Sequence, residues 1–119
     1  MAISSDHIAD PTSFLPLSPR DFQVLMVVFD QPMHGYGIVK VSTEEFGREV
    51  LDLGSLYRII GRLTKDGLLE DVTGEQRDTS RQRRYYRATE LGRQVVRAEA
   101  IRLRELLDSE RADLLWEKS

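Results

Sequence analysis

Apolar positions recur at helical spacing in the first third of the chain, and a strong start signal precedes them. Ser18 is a typical N-cap, Pro19 suits the first helical position, and Asp21 places an acid near the helix N-terminus. Apolar residues then recur every three or four positions, as on the buried face of a surface helix. The pattern predicts a helix that ends at Gln31-Pro32.

Two further helices are predicted before residue 67, and each is followed by a glycine. Residues 38–46 carry apolar side chains at helical spacing, and Gly47 supplies a C-terminal stop. Asp52 is suited to cap a third helix that runs to about Asp66, where Gly67 provides the left-handed residue that ends it. The chain is therefore expected to form three short helices in succession.

The second half of the chain predicts a hairpin and a long helix. Residues 68–73 and 83–88 have strand character, and the polar run 74–82 between them is too long for a tight turn. Thr89 caps a last helix that contains no proline and extends nearly to the C-terminus. This order is that of a winged helix-turn-helix. The predicted fold class is mainly α with a small β-hairpin, a winged helix-turn-helix plus a long C-terminal dimerisation helix.

The last helix carries an apolar seam with heptad-like spacing, formed by Val96, Ala100, Leu103, Leu107 and Leu114. A helix of up to ~30 residues exceeds the average of about 11–12 and extends beyond the small domain before it. We interpret it as a dimerisation helix, with a helix folded back on its own domain as the alternative. The predicted organisation is an irregular arm (1–17), a winged helix-turn-helix DNA-binding domain (18–88) and the dimerisation helix (89–119).

Composition restricts the class of protein. Of the 119 residues, 40% are apolar and 31% charged, which indicates a globular chain rather than disorder. No segment reaches the ~18 apolar residues of a membrane helix, and the N-terminus lacks the basic and apolar regions of a secretory signal. Without cysteine there is no disulfide framework and no thiolate metal site. We expect a cytoplasmic protein with no membrane partner.

The net charge is −3, but the basic groups are concentrated in one segment. Residues 54–87 carry eight basic and five acidic side chains, whereas the whole chain has 17 basic and 20 acidic groups. A basic segment in an otherwise acidic protein indicates one face that meets a polyanion.

The predicted third helix has two chemically different faces. At ~100° per residue its apolar side chains lie within one arc, and Arg58, Arg62 and Lys65 lie on the opposite side. Ser55 adds a hydroxyl near the N-terminus, where the helix dipole favours phosphate. A helix ~10–12 Å wide fits the DNA major groove, where arginine binds guanine. An ordinary solvated helix face is the alternative.

The predicted hairpin is also basic. Between residues 76 and 88, a single acid accompanies five arginines: Arg77, Arg81, Arg83, Arg84 and Arg87. A flexible basic tip beside a basic helix is suited to the DNA backbone or the minor groove. Helix and hairpin together indicate double-stranded DNA as the partner.

Three motifs in order carry a family resemblance: HGYGI (34–38), GSLYRIIGRLTKDGLLE (54–70) and RRYYRATELGR (83–93). Over residues 18–95 the chain resembles the PadR family of bacterial transcriptional regulators. The resemblance implies a homodimer that binds operator DNA, usually as a repressor, and that a small aromatic or lipophilic effector often releases. It implies that Ser55, Tyr57 and Arg58 lie at the groove entrance, with Arg62 and Lys65 further along the helix. It also implies that the arginines of residues 77–84 form the wing and the last helix forms the dimer.

The sequence offers little for catalysis. His7 and His34 are the only histidines, and no nucleophile, metalloprotease or phosphate-loop motif is present. We predict no enzymatic activity, no catalytic residue, no metal and no cofactor, and we interpret His34 as a linking or capping residue. Trp116, the only tryptophan, is a candidate for bordering an effector pocket; packing between helices is the simpler alternative.

A second function stays open on these residues. A winged helix also serves as a protein–protein interaction module that does not bind DNA. Steep salt dependence of DNA binding favours the regulator, and salt-insensitive association with a protein favours the module.

Overall fold

The computed structural model describes residues 9–47, 51–76 and 83–116. Within these ranges the chain forms five α-helices, three short β-strands and two short 3-10 helices. The helices and strands are α1 (Pro19–Val27), β1 (Met33–His34), α2 (Gly35–Phe46), α3 (Leu53–Lys65), β2 (Leu69–Asp71), β3 (Tyr85–Ala88), α4 (Glu90–Leu107) and α5 (Glu110–Asp113). The predicted fold, mainly helical with a small antiparallel sheet, is confirmed.

Two of the predicted N-caps form as expected. The Ser18 hydroxyl accepts a hydrogen bond from the Asp21 N–H over 3.1 Å at the start of α1. The Asp52 carboxylate accepts one from the Ser55 N–H over 2.8 Å at the start of α3. Each bond satisfies a backbone donor that the first helical turn leaves without a partner.

The second helix begins three residues earlier than predicted. His34 caps it, because its Nδ1 atom accepts a hydrogen bond from the Gly37 N–H over 3.1 Å, and α2 starts at Gly35. The helix ends where Gly47 adopts a φ of 88°, which favours glycine. The interpretation of His34 as a capping residue is confirmed.

The sheet has three strands instead of the two that the hairpin predicts. They are ordered β1-β3-β2, and both neighbouring pairs are antiparallel. Met33 pairs with Tyr86 on one side of β3, and Leu69 faces Ala88 on the other. The additional strand is β1, which lies between α1 and α2 in the chain. It forms because the segment after α1 runs along the free edge of β3.

The core lies between the three helices of the N-terminal half, the sheet and α4. The predicted apolar arc of α3 is buried: Leu56, Ile59, Ile60 and Leu63. It packs in one cluster with side chains from α1, α2 and α4, including Val24, Leu25, Ile38 and Val95. This burial fixes the rotation of α3 about its axis, and so fixes which residues α3 turns to solvent.

The start of α4 is tied to the segment that joins α3 to β2. The Thr89 hydroxyl caps α4 by accepting from the Gly92 N–H over 2.9 Å, and it donates to the Gly67 carbonyl over 2.6 Å. The Thr89 N–H donates to the Leu68 carbonyl over 3.0 Å. A Cβ atom at Gly92 would overlap that Leu68 carbonyl, so the two backbones lie in direct contact.

The last helix is shorter than predicted. α4 ends at Leu107 rather than near the C-terminus, and a separate short helix follows. The Ser109 hydroxyl accepts from the Ala112 N–H over 3.1 Å and donates to the Leu106 carbonyl over 2.8 Å. Serine competes in this way with the helical hydrogen bonds, so Ser109 ends one helix and caps the next.

The described part of the N-terminal arm packs on its own domain. Its 3-10 helix spans Pro11–Phe14, and its apolar side chains contact the core. The Leu17 N–H donates to a carboxylate oxygen of Glu99 over 3.0 Å, and Glu99 is only 2% exposed. Arg102 completes this contact with two hydrogen bonds to the same carboxylate, over 2.6 and 3.0 Å.

Candidate nucleic-acid interface

The cationic side of α3 is open to solvent. Tyr57, Arg58, Arg62 and Lys65 are exposed, and Ser55 is half-buried beside Arg58. We call these five residues the reading face. The structure thus places all five on the side of α3 that the apolar core leaves uncovered.

The N-terminal end of the reading face is polar and lightly constrained. The Ser55 N–H bond, together with the positive charge of Arg58, holds the pKa of Asp52 below its usual value. Arg58 Nη2 lies 3.5 Å from the Ser55 hydroxyl, at the outer limit of a hydrogen bond. Within the described ranges Arg58 forms no ion pair, so its guanidinium remains available to an external acceptor.

Arg62, one turn further along, is held by a carboxylate from α1. Its Nη1 and Nη2 atoms donate to the two oxygens of Asp21, each over 2.9 Å. The Asp21 side chain is 10% exposed and that of Arg62 is 52% exposed. The hydrogen bonds to Asp21 raise the pKa of Arg62, so it stays protonated. Asp21 therefore compensates the charge of Arg62 and fixes the direction of its guanidinium.

A second aromatic side chain joins the edge of the reading face. The Tyr57 ring lies against Gly35, where a Cβ atom would meet its hydroxyl. The next residue, Tyr36, is 67% exposed at the first turn of α2. The N-terminus of α2 and the reading face therefore meet at one edge.

The base of the wing carries two exposed arginines. Arg84 Nη1 donates to the Asp71 carboxylate over 2.8 Å, across the hairpin from β3 to β2. Arg83 Nη1 lies 3.2 Å from Nε2 of His34, the residue that caps α2. The wing is thus linked to both of its neighbours, β2 and α2.

The other wing arginines divide into one that is paired and two that are not described. Arg87 forms ion pairs with Glu70 over 3.2 Å and with Glu75 over 3.6 Å, so its charge is compensated within the hairpin. Arg77 and Arg81, predicted to lie at the tip, fall outside the described residues.

Comparison with known proteins identifies the fold family. The model of the family described as "Transcriptional regulator PadR-like family" matches residues 24–98. The chain belongs to this family. PadR-like proteins regulate transcription and bind DNA, and the winged-helix fold and the general role of the chain follow from this membership.

Several solved structures resemble this PadR-like chain. A PadR family regulator from Eggerthella lenta DSM 2243 is 25% identical, with a TM-score of 0.63 over 98% of this chain and 94% of that chain. A PadR-like regulator from Bacillus cereus strain ATCC 14579 is 19% identical, with a TM-score of 0.62 over 83% and 93%. RosR of H. salinarum is 22% identical, with a TM-score of 0.59 over 80% and 78%. Among curated proteins, none matches significantly.

The residues predicted for the dimer lie in different environments in this PadR-like chain. Val96 is 3% exposed and packs in the hydrophobic core of the chain. Ala100 borders an open apolar cavity, and Leu103 is half-buried. Leu107 and Leu114 are 51% and 53% exposed. The open part of the seam therefore lies in the C-terminal half of α4 and at the end of α5.

A cavity of about 590 Å³ lies between α1, α2 and α4. Its walls are mainly apolar and include Met26, Phe29, Phe46 and Ala100. Trp116, predicted to border an effector pocket, does not line it and is 62% exposed after α5. The structure therefore separates Trp116 from this apolar cavity.

Two negative findings concern residues 9–47, 51–76 and 83–116 only. In this part of the chain no cluster of three His, Cys, Asp or Glu side chains has an arrangement that could hold a metal ion. None of its helices combines the length and the apolar character needed to cross a bilayer.

Sequence reasoning missed three residues that the structure places at or beside the reading face. Asp21 carries the signal of a helix start, but no local pattern connects it to Arg62, which lies 41 positions later. Arg20 lies two residues after the Ser18 cap, and no sequence pattern predicts that it lies beside the reading face. Tyr36 had a usable signal, since a large aromatic between two glycines at a helix start has little room to be buried.

Proposed function

We propose that this PadR-like protein is a homodimeric repressor that binds an operator in duplex DNA and is released by a small aromatic or lipophilic effector. The observation that supports it best is the division of α3 into a buried apolar arc and the open reading face. A helix fixed in this way offers cations and a tyrosine to the major groove without exposing its core.

In the proposed complex α3 lies in the major groove with its N-terminal half deepest. Ser55, Tyr57 and Arg58 lie at the groove entrance, and Arg58 is available to DNA, since it forms no ion pair in the described part of the chain. Arg62 and Lys65 lie further along the helix. Arg62 keeps N–H groups that Asp21 does not use, so it donates to DNA from a fixed direction.

The wing contacts the DNA backbone beside the groove. Arg83 and Arg84 lie at its base, and Arg77 and Arg81 extend the basic segment towards the tip. Because phosphate contacts carry no base information, these arginines contribute affinity at any sequence. Base preference then resides in the reading face.

The dimer forms through the last two helices. Leu107, Leu114 and Trp116 are each more than half exposed, which is unusual for large apolar side chains that lie close together along a chain. A two-fold axis through this segment places the half-sites about one or two DNA turns apart, ~10 or ~20 base pairs. The protein acts on DNA in the cytoplasm.

An effector has two places to bind. The cavity beside Ala100, at about 590 Å³, falls within the range of roughly 300–1,000 Å³ that drug-sized ligands occupy. Trp116 offers a second, aromatic surface near the proposed dimer axis. Binding at either place releases DNA if it changes the separation of the two copies of α3. Since Trp116 is the only tryptophan, its fluorescence separates the two cases.

Fluorescence anisotropy with duplex DNA from the region upstream of the protein's own coding sequence tests the proposal. We expect log Kd to change steeply with log salt, at ~0.9 per phosphate contact. Arg58→Ala should weaken operator binding about tenfold or more. The control is Arg97→Ala, an exposed arginine on α4 that lies over the Phe29 ring, outside the reading face and the open part of the seam. If Arg58→Ala and wild type bind the operator with equal affinity, the reading face is not the DNA-binding surface.

A protein–protein interaction module is the second candidate. One observation favours it: Arg62, Arg84 and Arg87 are all paired with carboxylates of the same chain. Salt-insensitive association with a protein partner, together with no salt-dependent DNA binding, identifies the module and overturns the repressor.

A further inference from the structure

A separate cavity lies between the start of α1 and the reading face. Its volume is about 320 Å³. The first turn of α1 and its cap contribute one wall, and α3 contributes the other; the polar side chains that line it are Ser18, Arg20, Asp21, Ser55, Arg58 and Arg62. Arg20 lies on α1, outside both α3 and the wing. The cavity therefore places Arg20 beside residues of the reading face.

The charges around this cavity do not cancel. The single carboxylate, Asp21, is bound by both terminal nitrogens of Arg62. In the described part of the chain neither Arg20 nor Arg58 forms an ion pair. Arg20 and Arg58 thus line one cavity without an ion pair, and Arg62 compensates the charge of Asp21. The Asp52 carboxylate, which does not line the cavity, offsets only part of the positive charge of Arg58.

The chemistry of the walls selects the class of ligand. Guanidinium and hydroxyl groups together are donors for phosphate oxygens, and arginine is suited to bind them in a bidentate manner. Four charged side chains line this cavity, whereas the walls of the cavity near Ala100 are mainly apolar, so an anion is favoured here over an apolar effector. Arg58 belongs both to this cavity and to the reading face, so an anion bound here lies directly beside the groove that α3 enters.

We propose that this cavity seats one backbone phosphate of duplex DNA, with Arg20 and Arg58 as its two cationic ligands. The inference rests on the proposed function, in that α3 must dock on duplex DNA. It adds Arg20 to the DNA-binding residues as a contact that fixes the position of α3 along the groove and reads no base. Asp21 acts here as a positioning residue, because its two hydrogen bonds hold the Arg62 guanidinium in one orientation at the wall of the cavity.

The test compares Arg20→Ala with Arg97→Ala in salt series of DNA binding. Two labelled duplexes of equal length are used, one from the region upstream of the coding sequence and one of random sequence. We expect Arg20→Ala to weaken both duplexes by the same factor, about tenfold, and to lower the salt slope by about 1. Arg97→Ala should change neither quantity. Arg20→Gln provides a second variant, and a Tm equal to that of wild type shows that each variant is folded.

The outcomes separate this inference from the proposed function. If wild type shows no salt-dependent DNA binding, the proposed function fails and the phosphate seat fails with it. If wild type binds and Arg20→Ala keeps the full salt slope, only the phosphate seat is overturned. If Arg20→Ala weakens one duplex alone, Arg20 contacts a base and the inference is again wrong.

Inorganic phosphate distinguishes a DNA phosphate from a free anion. The Nε–H signals of Arg20 and Arg58 are followed by NMR during titration with inorganic phosphate and then with duplex. We expect both signals to shift on addition of duplex and to change little with inorganic phosphate. Saturable binding of inorganic phosphate, with no effect of duplex on the two signals, makes the cavity a free-anion site and overturns the proposal.

Discussion

Removal of the Arg62 side chain should destabilise the fold, although Arg62 lies on the surface. The substitution Arg62→Ala leaves the Asp21 carboxylate without its two hydrogen bonds, and that side chain is only 10% exposed. Stripping a fully buried ion of its partner costs about 3–5 kcal/mol, whereas exposed ion pairs contribute about 0–1 kcal/mol. Because Arg62 is 52% exposed, we place the loss between these limits, at about 2 kcal/mol.

The measurement is urea unfolding together with a thermal scan, at a fixed protein concentration because a dimer depends on it. At roughly 4 °C per kcal/mol for a chain of this size, the Tm should fall by about 8 °C. Arg58→Ala is the matched control, since it removes the same side chain from the same helix but breaks no ion pair. Its effect should stay within about 0.5 kcal/mol.

A double-mutant cycle isolates the pair itself. Asp21→Asn should cost less than Arg62→Ala, about 1 kcal/mol, because the freed guanidinium can turn to solvent while a freed Asp21 carboxylate cannot. The coupling between the two positions should be about 1–2 kcal/mol. Equal losses for Arg62→Ala and Arg58→Ala, or a coupling near zero, would refute the reasoning.

Three other expectations follow from single contacts. Gly92→Ala should lower the free energy of unfolding by about 3 kcal/mol, because its Cβ overlaps the Leu68 carbonyl; Gly61→Ala, with nothing nearby, should raise it by about 0.5–1 kcal/mol. Hydrogen bonds, first from Arg102, hold the pKa of Glu99 below 4.5, so its stabilisation is present above that pH and is lost as pH falls through the lowered value. Glu99→Gln should therefore lower the Tm at pH 7, and the difference from wild type should shrink below about pH 4.5. Leu107→Asp should shift sedimentation towards monomer, because it places a charge in the open part of the apolar seam.

Each of these expectations has a result that contradicts it. A neutral Gly92→Ala would mean that α4 can move away from the α3–β2 segment. If the Tm difference between Glu99→Gln and wild type stays the same at acidic pH, the charge of Glu99 is not the cause of the stabilisation. An unshifted dimer in Leu107→Asp would exclude the end of α4 from the interface.

Features set by neighbouring residues could be predicted from the sequence. The caps Ser18, Asp52 and Thr89 need only the next three residues, and each forms as expected. The apolar arc of α3 needs only the helical period, and its burial is confirmed. Local patterns were therefore sufficient for α3 and for the starts of α1 and α4. The end of α1 was predicted wrongly, because the helix stops at Val27, before Gln31-Pro32.

Features that depend on distant residues could not be predicted. β1 has two residues and exists because Met33 and His34 lie beside β3, more than fifty positions later. The contact between Arg62 and Asp21 spans 41 positions and depends on how α1 packs on α3. The end of α4 is a different case: Ser109 had the local signal of a cap, but the apolar seam that runs past it favoured one long helix.

The backbone contact between Gly92 and Leu68 has a mechanical consequence. It prevents independent movement of α4, which carries the proposed subunit contact, and the segment that joins α3 to β2. In a dimer, a small change in the angle between the two subunits at the proposed contact would therefore move the two copies of α3 as rigid bodies. An effector that tilts one subunit relative to the other would then change the separation of the two copies of α3, so that it no longer matches the helical repeat of the duplex.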